Sequence, residues 1–267
     1  MSEPVTGTVT SADGTRIAFD RSGSGPAVIL VHGAFTDRSH PTLSSVAAAL
    51  APWFTVFNYD RRGRGASGDT RPYAVRRELE DLDAIIETAG GSAMVFGGSS
   101  GAALALEATA RNPAISKLAL WEPPYHVDDT APCLPYDFGS QLEALIRQDR
   151  RAEAIGRFMV EAAELPVEAV AAMRAEPSWP ELEAVAHTLA YEAAVMGPGN
   201  ALPMGTLAAI ARPTLVLNGE SSPAWMGNAG RAVAKAVPGA VHRILEGQTH
   251  NVAAQALAPE LLEFFVA

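Results

Sequence analysis

The five residues Gly97-Gly98-Ser99-Ser100-Gly101 have the form G-x-S-x-G. In a chain with 23 glycines that pattern is weak by itself. Its setting gives it weight. An apolar run at residues 94–96 ends directly before it, and a helical pattern at 102–111 starts directly after it. A sharp strand-to-helix turn strains its central residue and exposes that side chain, while small residues two positions to either side let strand and helix approach. The helix N-terminus also points N–H groups and partial positive charge at the same spot. A serine hydroxyl becomes a nucleophile only when a base takes its proton. Of the six histidines, His250 is the best placed base, in the stretch Glu246-Gly247-Gln248-Thr249-His250-Asn251 after the last strand pattern. His32 reads as part of the turn after the first buried strand. His40, His126, His187 and His242 have no comparable position and are expected on the surface or in packing. The segment Val31-His32-Gly33-Ala34 likewise follows a buried run. The N–H groups of Ala34 and Ser100 are therefore expected to bind negative charge developing on a carbonyl oxygen. This chemistry needs neither metal nor cofactor, and none is expected.

The elements that must position these groups are legible in hydropathy patterns. Residues 5–10 and 16–21 alternate polar and apolar side chains around Asp13-Gly14, as an antiparallel hairpin does. Residues 26–31 form a continuous apolar, β-branched run, the mark of a strand buried on both faces. Helix at 43–50, strand at 54–59, helix at 77–89, strand at 94–96, helix at 102–111 and strand at 117–121 follow in alternation. That alternation predicts an α/β fold with a parallel sheet covered by helices on both faces. Between about 123 and 205 no run resembles a buried strand. Helical stretches at 142–150, 152–164, 167–175 and 181–196 are punctuated by Pro135, Pro166, Pro177, Pro180 and Gly197-Pro198-Gly199. Strand resumes at 213–218, then helix at 229–236, strand at 241–245 and helix at 259–266. The simplest organisation is a core of residues 1–123 and 206–267 carrying a helical cap of residues 124–205.

At this point the chain resembles the α/β-hydrolase superfamily. The resemblance rests on Val31-His32-Gly33-Ala34, on Asn58-Tyr59-Asp60-Arg61-Arg62-Gly63-Arg64-Gly65-Ala66-Ser67, on the serine pentapeptide and on Gly247-Gln248-Thr249-His250, in that order. It implies an α/β-hydrolase fold, with an eight-stranded, mostly parallel sheet and a helical cap between the sixth and seventh strands. One departure is Gly98, where many relatives carry His. In this superfamily the triad acid usually follows the seventh strand, but that loop here reads Gly219-Glu220-Ser221-Ser222-Pro223-Ala224-Trp225 and holds no Asp. Glu220 is its one carboxylate. The other candidate is Glu122, in Leu120-Trp121-Glu122-Pro123-Pro124 at the carboxyl end of the sixth strand, where functional groups of parallel sheets gather. A subgroup of haloalkane dehalogenases and the zearalenone lactonases take their acid from that place. The chain is similar to the lactonases in its Ser-Ser-Gly-Ala turn and in Glu-x-Pro after the sixth strand. Glu122 is therefore the favoured acid and Glu220 the alternative.

Composition narrows the function further. The 267 residues are 48% hydrophobic and 19% charged, with a formal net charge of −10. Arg61, Arg62 and Arg64 form the one local cationic cluster, so no nucleic-acid partner is expected. The single cysteine, Cys133, excludes an internal disulfide. Met1-Ser2-Glu3-Pro4 has neither a basic start nor an apolar run, and no stretch approaches about 18 uninterrupted apolar residues. A cytoplasmic protein without membrane attachment is expected. Tyr125, Trp179, Tyr191 and Met196, with Trp225 and Met226 after the seventh strand, are expected to line an apolar pocket over Ser99. A small-molecule partner follows, a moderately hydrophobic carboxylic ester or lactone. The resemblance leaves two alternatives open: the same triad used for C–C hydrolysis, lyase or perhydrolase chemistry, and a non-catalytic ligand-binding protein of this fold.

Overall fold

The computed structural model describes residues 4–267; Met1–Glu3, on which part of the reading about a leader segment rests, lie outside the described residues. Eight strands form one sheet in the order β1-β2-β4-β3-β5-β6-β7-β8. They are β1 (Val5–Thr10), β2 (Arg16–Ser22), β3 (Ala27–Val31), β4 (Thr55–Tyr59), β5 (Ala93–Gly98), β6 (Ile115–Trp121), β7 (Thr214–Gly219) and β8 (Val241–Leu245). The β1–β2 and β2–β4 pairs are antiparallel, and every other pair is parallel. This is the α/β-hydrolase fold.

Strand alternation sorts the core into two layers. In β3, Ala27, Ile29 and Val31 point to one face, with α2 (Val75–Thr88), α3 (Ser100–Arg111) and α10 (Ala224–Ala236). Val28 and Leu30 point to the other, with α1 (Pro41–Leu50) and α11 (Ala254–Val266). All five residues of β3 are buried, which explains its unbroken apolar run. In α2, Leu79, Leu82, Ile85 and Ile86 fall on one face at helical spacing and are buried together.

Between β6 and β7 the chain is helical: α4 (Phe138–Arg147), α5 (Arg151–Arg157), α6 (Val167–Arg174), α7 (Trp179–Val185), α8 (Leu189–Met196) and α9 (Met204–Ala208). Its own apolar cluster includes Phe138, Leu142, Ile155, Met159, Trp179 and Leu189. Several expected bounds shift, for local reasons. The helix expected over 152–164 is α-helical only to Arg157, widens into a π turn at Phe158–Ala162, and ends where Glu164 takes a positive φ before Pro166. The helix expected over 181–196 breaks at Ala186–Thr188, where the Thr188 hydroxyl donates to the Val185 carbonyl at 2.8 Å. The last helix starts at Ala254, five residues before the expected start, and carries Pro259 inside it. α9, which follows Pro203, has no counterpart among the expected helices. Among the described residues, no helix is long and apolar enough to cross a membrane, and no group of three His, Cys, Asp or Glu could hold a metal.

Candidate active site

Ser99 is the single residue between β5 and α3, at φ 56° and ψ −131°. A left-handed φ on a residue other than glycine is costly and needs surrounding structure to hold it. Two glycines make that possible. A Cβ on Gly97 would lie 2.5 Å from the Gly101 carbonyl oxygen, and one on Gly101 would lie 2.5 Å from the carbonyl oxygens of both Val31 and His32. Gly98 is different: the nearest atom to a Cβ there is 3.8 Å away, so a side chain has room at this departure from the family pattern. The Ser99 N–H donates to the Trp121 carbonyl at 2.8 Å, tying the turn to the end of β6.

The Ser99 hydroxyl lies 3.2 Å from His250 Nε2, and His250 Nδ1 lies 2.7 Å from Glu122 Oε2. The carboxylate only accepts, which places the imidazole proton on Nδ1 and leaves Nε2 free to accept from Ser99. Glu122 Oε1 accepts the Gly219 N–H at 2.8 Å, and the Glu122 side chain is fully buried. Its own φ is 44°, a bend at the end of β6 just before Pro123 and Pro124. The Trp121 indole N–H donates to the His250 carbonyl at 3.0 Å, fixing the histidine loop against β6. Ser99, His250 and Glu122, far apart in the chain, thus form one hydrogen-bonded line at the carboxyl ends of the strands. Glu220 is elsewhere. It is exposed, and its carboxylate accepts the Gly247 N–H at 3.0 Å, holding the turn after β8 and not His250.

The loop after β3 completes the surroundings of Ser99. A Cβ on Gly33 would sit 2.9 Å from Ser99 Cβ, so the loop touches the serine. Among the described residues, no protein acceptor takes the N–H of Ala34 or of Ser100. His32 is fully buried. Its Nε2 meets Asn58 Oδ1 at 2.6 Å, and burial pushes its pKa down to about 4, so it is neutral and structural.

The residues expected to line the pocket fall in several different places. Tyr125 and Met196 lie in the core layer beneath the sheet, and Trp179 lies in the core of the helical segment with its indole N–H on Glu183. Aromatic and Met side chains at helical spacing fill cores more often than they line sites. Tyr191 stacks on Tyr73, with ring centroids 3.7 Å apart, and its hydroxyl donates to Asp69. It borders a cavity of about 780 Å³ together with Arg71, Phe138, His187 and Asn200, and no member of the Ser99 line borders that cavity. Trp225 and Met226 are buried at the start of α10, where Trp225 meets His126 edge to face and donates to Glu164. In the loop after β3, Phe35, directly after Ala34, meets Phe158 of the helical segment edge to face, with ring centroids 5.6 Å apart.

The arginines of the loop after β4 stand out in the sequence as its one local cationic cluster. Arg61, Arg62 and Arg64 are all buried. Arg61 pairs with Glu78 and Glu192, Arg62 with Asp81 and Asp13, and Arg64 with Glu192. Their spacing amid an otherwise acidic chain was the available signal, since closely spaced arginines next to buried strands must find carboxylates.

A model of the alpha/beta hydrolase family matches residues 28–260. The crystal structure of an alpha/beta hydrolase from Sphaerobacter thermophilus DSM 20745 is similar at 53% identity and a TM-score of 0.90, covering 97% of this chain and 100% of that one. A hydrolase from Pseudomonas aeruginosa PA01 is similar in fold, at 24% identity and a TM-score of 0.74 over 98% of each chain. The "Uncharacterized hydrolase YraK" of Bacillus subtilis (strain 168) is 36% identical over 104 residues, which are 38% of this chain and 38% of that protein.

Proposed function

Because the chain belongs to the alpha/beta hydrolase family, we propose that it is a serine hydrolase that cleaves a moderately hydrophobic carboxylic ester or lactone through an acyl-enzyme on Ser99. The observation that carries this reading is the line from Ser99 Oγ to His250 Nε2 at 3.2 Å and from His250 Nδ1 to Glu122 Oε2 at 2.7 Å. In the first half-reaction, Ser99 Oγ attacks the carbonyl carbon while His250 Nε2 takes the hydroxyl proton. The carbonyl electron pair moves onto oxygen, where the Ala34 and Ser100 N–H groups receive the charge. The tetrahedral species collapses, the alkoxide leaves with the proton held by His250, and the acyl group remains on Ser99. Water then attacks the acyl-enzyme with His250 again as base, releasing the acid and restoring the serine. Glu122 keeps the imidazole in the working tautomer and stabilises its protonated form, and Gly219 N–H keeps Glu122 aimed.

The ester or lactone class is supported by Phe35 and Phe158, which bring aromatic surface next to the loop of Ala34, and by a serine nucleophile in place of the Asp used by epoxide hydrolases and dehalogenases of this fold. The test uses the wild type and S99A with p-nitrophenyl esters of two to eight acyl carbons, an aromatic lactone and a fluorophosphonate probe. Turnover of an ester or lactone and a single probe adduct on Ser99, both lost in S99A, are expected. A wild type that turns over no ester or lactone and takes up no probe, or an S99A protein that keeps turnover, contradicts the reading.

A further inference from the structure

Arg64 stands at the middle of Gly63-Arg64-Gly65, buried, with its partners outside its own loop. Its guanidinium meets the Glu192 carboxylate of α8, the Gly33 carbonyl oxygen, the Thr36 carbonyl oxygen at 3.3 Å and the Thr188 hydroxyl at 3.3 Å. Burying such a cation is costly unless its donors are used. Here two of its acceptors are main-chain carbonyls of the loop that touches Ser99. Arg62, three residues from the same strand end, contrasts with it. Its partners are Asp13, Asp81 and the Arg77 carbonyl, on the hairpin turn and α2, and none lies in the loop after β3.

The Gly33 contact has a geometric consequence. In a trans peptide the C=O of one residue and the N–H of the next lie in one plane and point in opposite directions. A cation gripping the Gly33 oxygen therefore sets the direction of the Ala34 N–H. The same oxygen also accepts the Thr36 hydroxyl at 3.1 Å, so two donors hold that peptide plane. Phe35 follows at φ 62°, a strained value for a large residue, which persists only if neighbouring contacts hold it. Arg61 acts one peptide earlier, donating to the His32 carbonyl at 3.1 Å while sharing Glu192. Burial and the neighbouring Arg61 both weigh against charge on Arg64, Glu78 weighs for it, and the Glu192 carboxylate lies directly against its guanidinium.

From this arrangement we infer that Arg64, clamped by Glu192, is a positioning residue that aims the Ala34 N–H at the oxyanion formed on Ser99, and that Glu192 ties α8 to that loop. The inference rests on the ester-hydrolase reading above. It assigns Arg64 an effect on the transition state and none on ground-state binding, because the Ala34 N–H is needed most when charge has developed.

The experiment compares wild type, R64M, R64M/E192Q and R62M with p-nitrophenyl butyrate and with an alkyl trifluoromethyl ketone, whose hemiketal on serine carries the oxyanion. Losing an oxyanion donor outright lowers kcat by about 10²–10³, and misaiming one is expected to lower it by roughly 10–10². R64M is expected to show that fall in kcat with KM changed less than about twofold, and a rise in the ketone Ki of the same proportion. R64M/E192Q, which also removes the carboxylate left behind, carries the same expectation and serves if R64M does not fold. R62M is expected to lower thermal stability with kcat and Ki within about twofold of wild type, since it loses a buried ion pair away from the loop. A folded R64M or R64M/E192Q with wild-type kcat and Ki overturns the inference alone, as does an R62M that loses as much kcat. A wild type without ester turnover overturns the parent reading, and this inference with it.

Discussion

Replacing Glu122 by Gln tests the assignment of the acid on a nearly isosteric side chain. Its two oxygens now accept from two different donors, His250 Nδ1 at 2.7 Å and the Gly219 N–H at 2.8 Å. A carboxamide has one oxygen and one NH₂ group, so it cannot accept from both. If the oxygen stays on Gly219, the NH₂ faces His250 Nδ1 and requires that nitrogen to accept. The ring proton then moves to Nε2, facing Ser99 Oγ, and the base cannot take the serine proton. If the oxygen faces His250, the NH₂ opposes the Gly219 N–H in a fully buried place, which leaves two donors without acceptors. Since the first arrangement satisfies both neighbours, the tautomer is the casualty. A comparable tautomer error in a serine triad lowers kcat by about 10⁴, and a loss of 10³–10⁴ corresponds to about 4–5.5 kcal/mol of transition-state stabilisation. The assay is steady-state hydrolysis of p-nitrophenyl butyrate at pH 7–8 on wild type, E122Q and E220Q, with melting temperatures as the control. E122Q is expected to lose that kcat with little change in KM, and E220Q to keep wild-type kcat. An E122Q enzyme within tenfold of wild type, or an E220Q enzyme with the large loss, refutes the reasoning.

Other predictions follow from the same contacts. G101A is expected to destabilise the protein by about 1–3 kcal/mol or to prevent folding, because its Cβ meets two main-chain oxygens at 2.5 Å. G98A, with nothing nearer than 3.8 Å, is expected to melt within about 2 °C of wild type; equal melting of the two variants would contradict the packing argument. His32 has its pKa lowered by burial to about 4, below its unfolded value, so the unfolded chain binds the extra proton first. The stability held above pH 6.5 is therefore lost as pH falls from 6.5 towards 4, a contribution on the order of 3 kcal/mol. Urea unfolding across that window should show a shallower acid slope in H32Q than in wild type, and parallel slopes would count against it. E78Q leaves Arg61 buried with a weakened partner and is expected to cost about 3–5 kcal/mol in chemical denaturation; a cost under 1 kcal/mol would show that Glu192 alone suffices.

The parts of the fold with strict periodicity were legible in the sequence. The hairpin strand β1 and the strand β8 have the bounds that alternation predicts, and β3 announces its two buried faces by five consecutive apolar residues. The position of Glu122 at the end of β6, next to the His250 loop, was legible from the strand pattern, while its reading as an acid drew on the resemblance, in which the loop after β7 usually carries the acid. The helical segment was legible only as helix. Its breaks depend on single contacts, such as the Thr188 hydroxyl on the Val185 carbonyl, that hydropathy does not encode. The aromatic side chains of that segment were assigned to a pocket although their spacing also fits a core, and Tyr125, Trp179 and Met196 took the core. The Arg64–Glu192 pair joins residues 128 positions apart. No local pattern marks such a partner. The only trace in the sequence is three closely spaced arginines that a buried loop must neutralise.

A crystal structure of the protein inactivated by a fluorophosphonate tests the central claim most directly. The account predicts continuous density from Ser99 Oγ to phosphorus, the phosphoryl oxygen within about 3.1 Å of the N–H groups of both Ala34 and Ser100, and His250 still bonded to Glu122. An adduct on another residue, or a phosphoryl oxygen on Ser99 that points away from those two N–H groups, would contradict it.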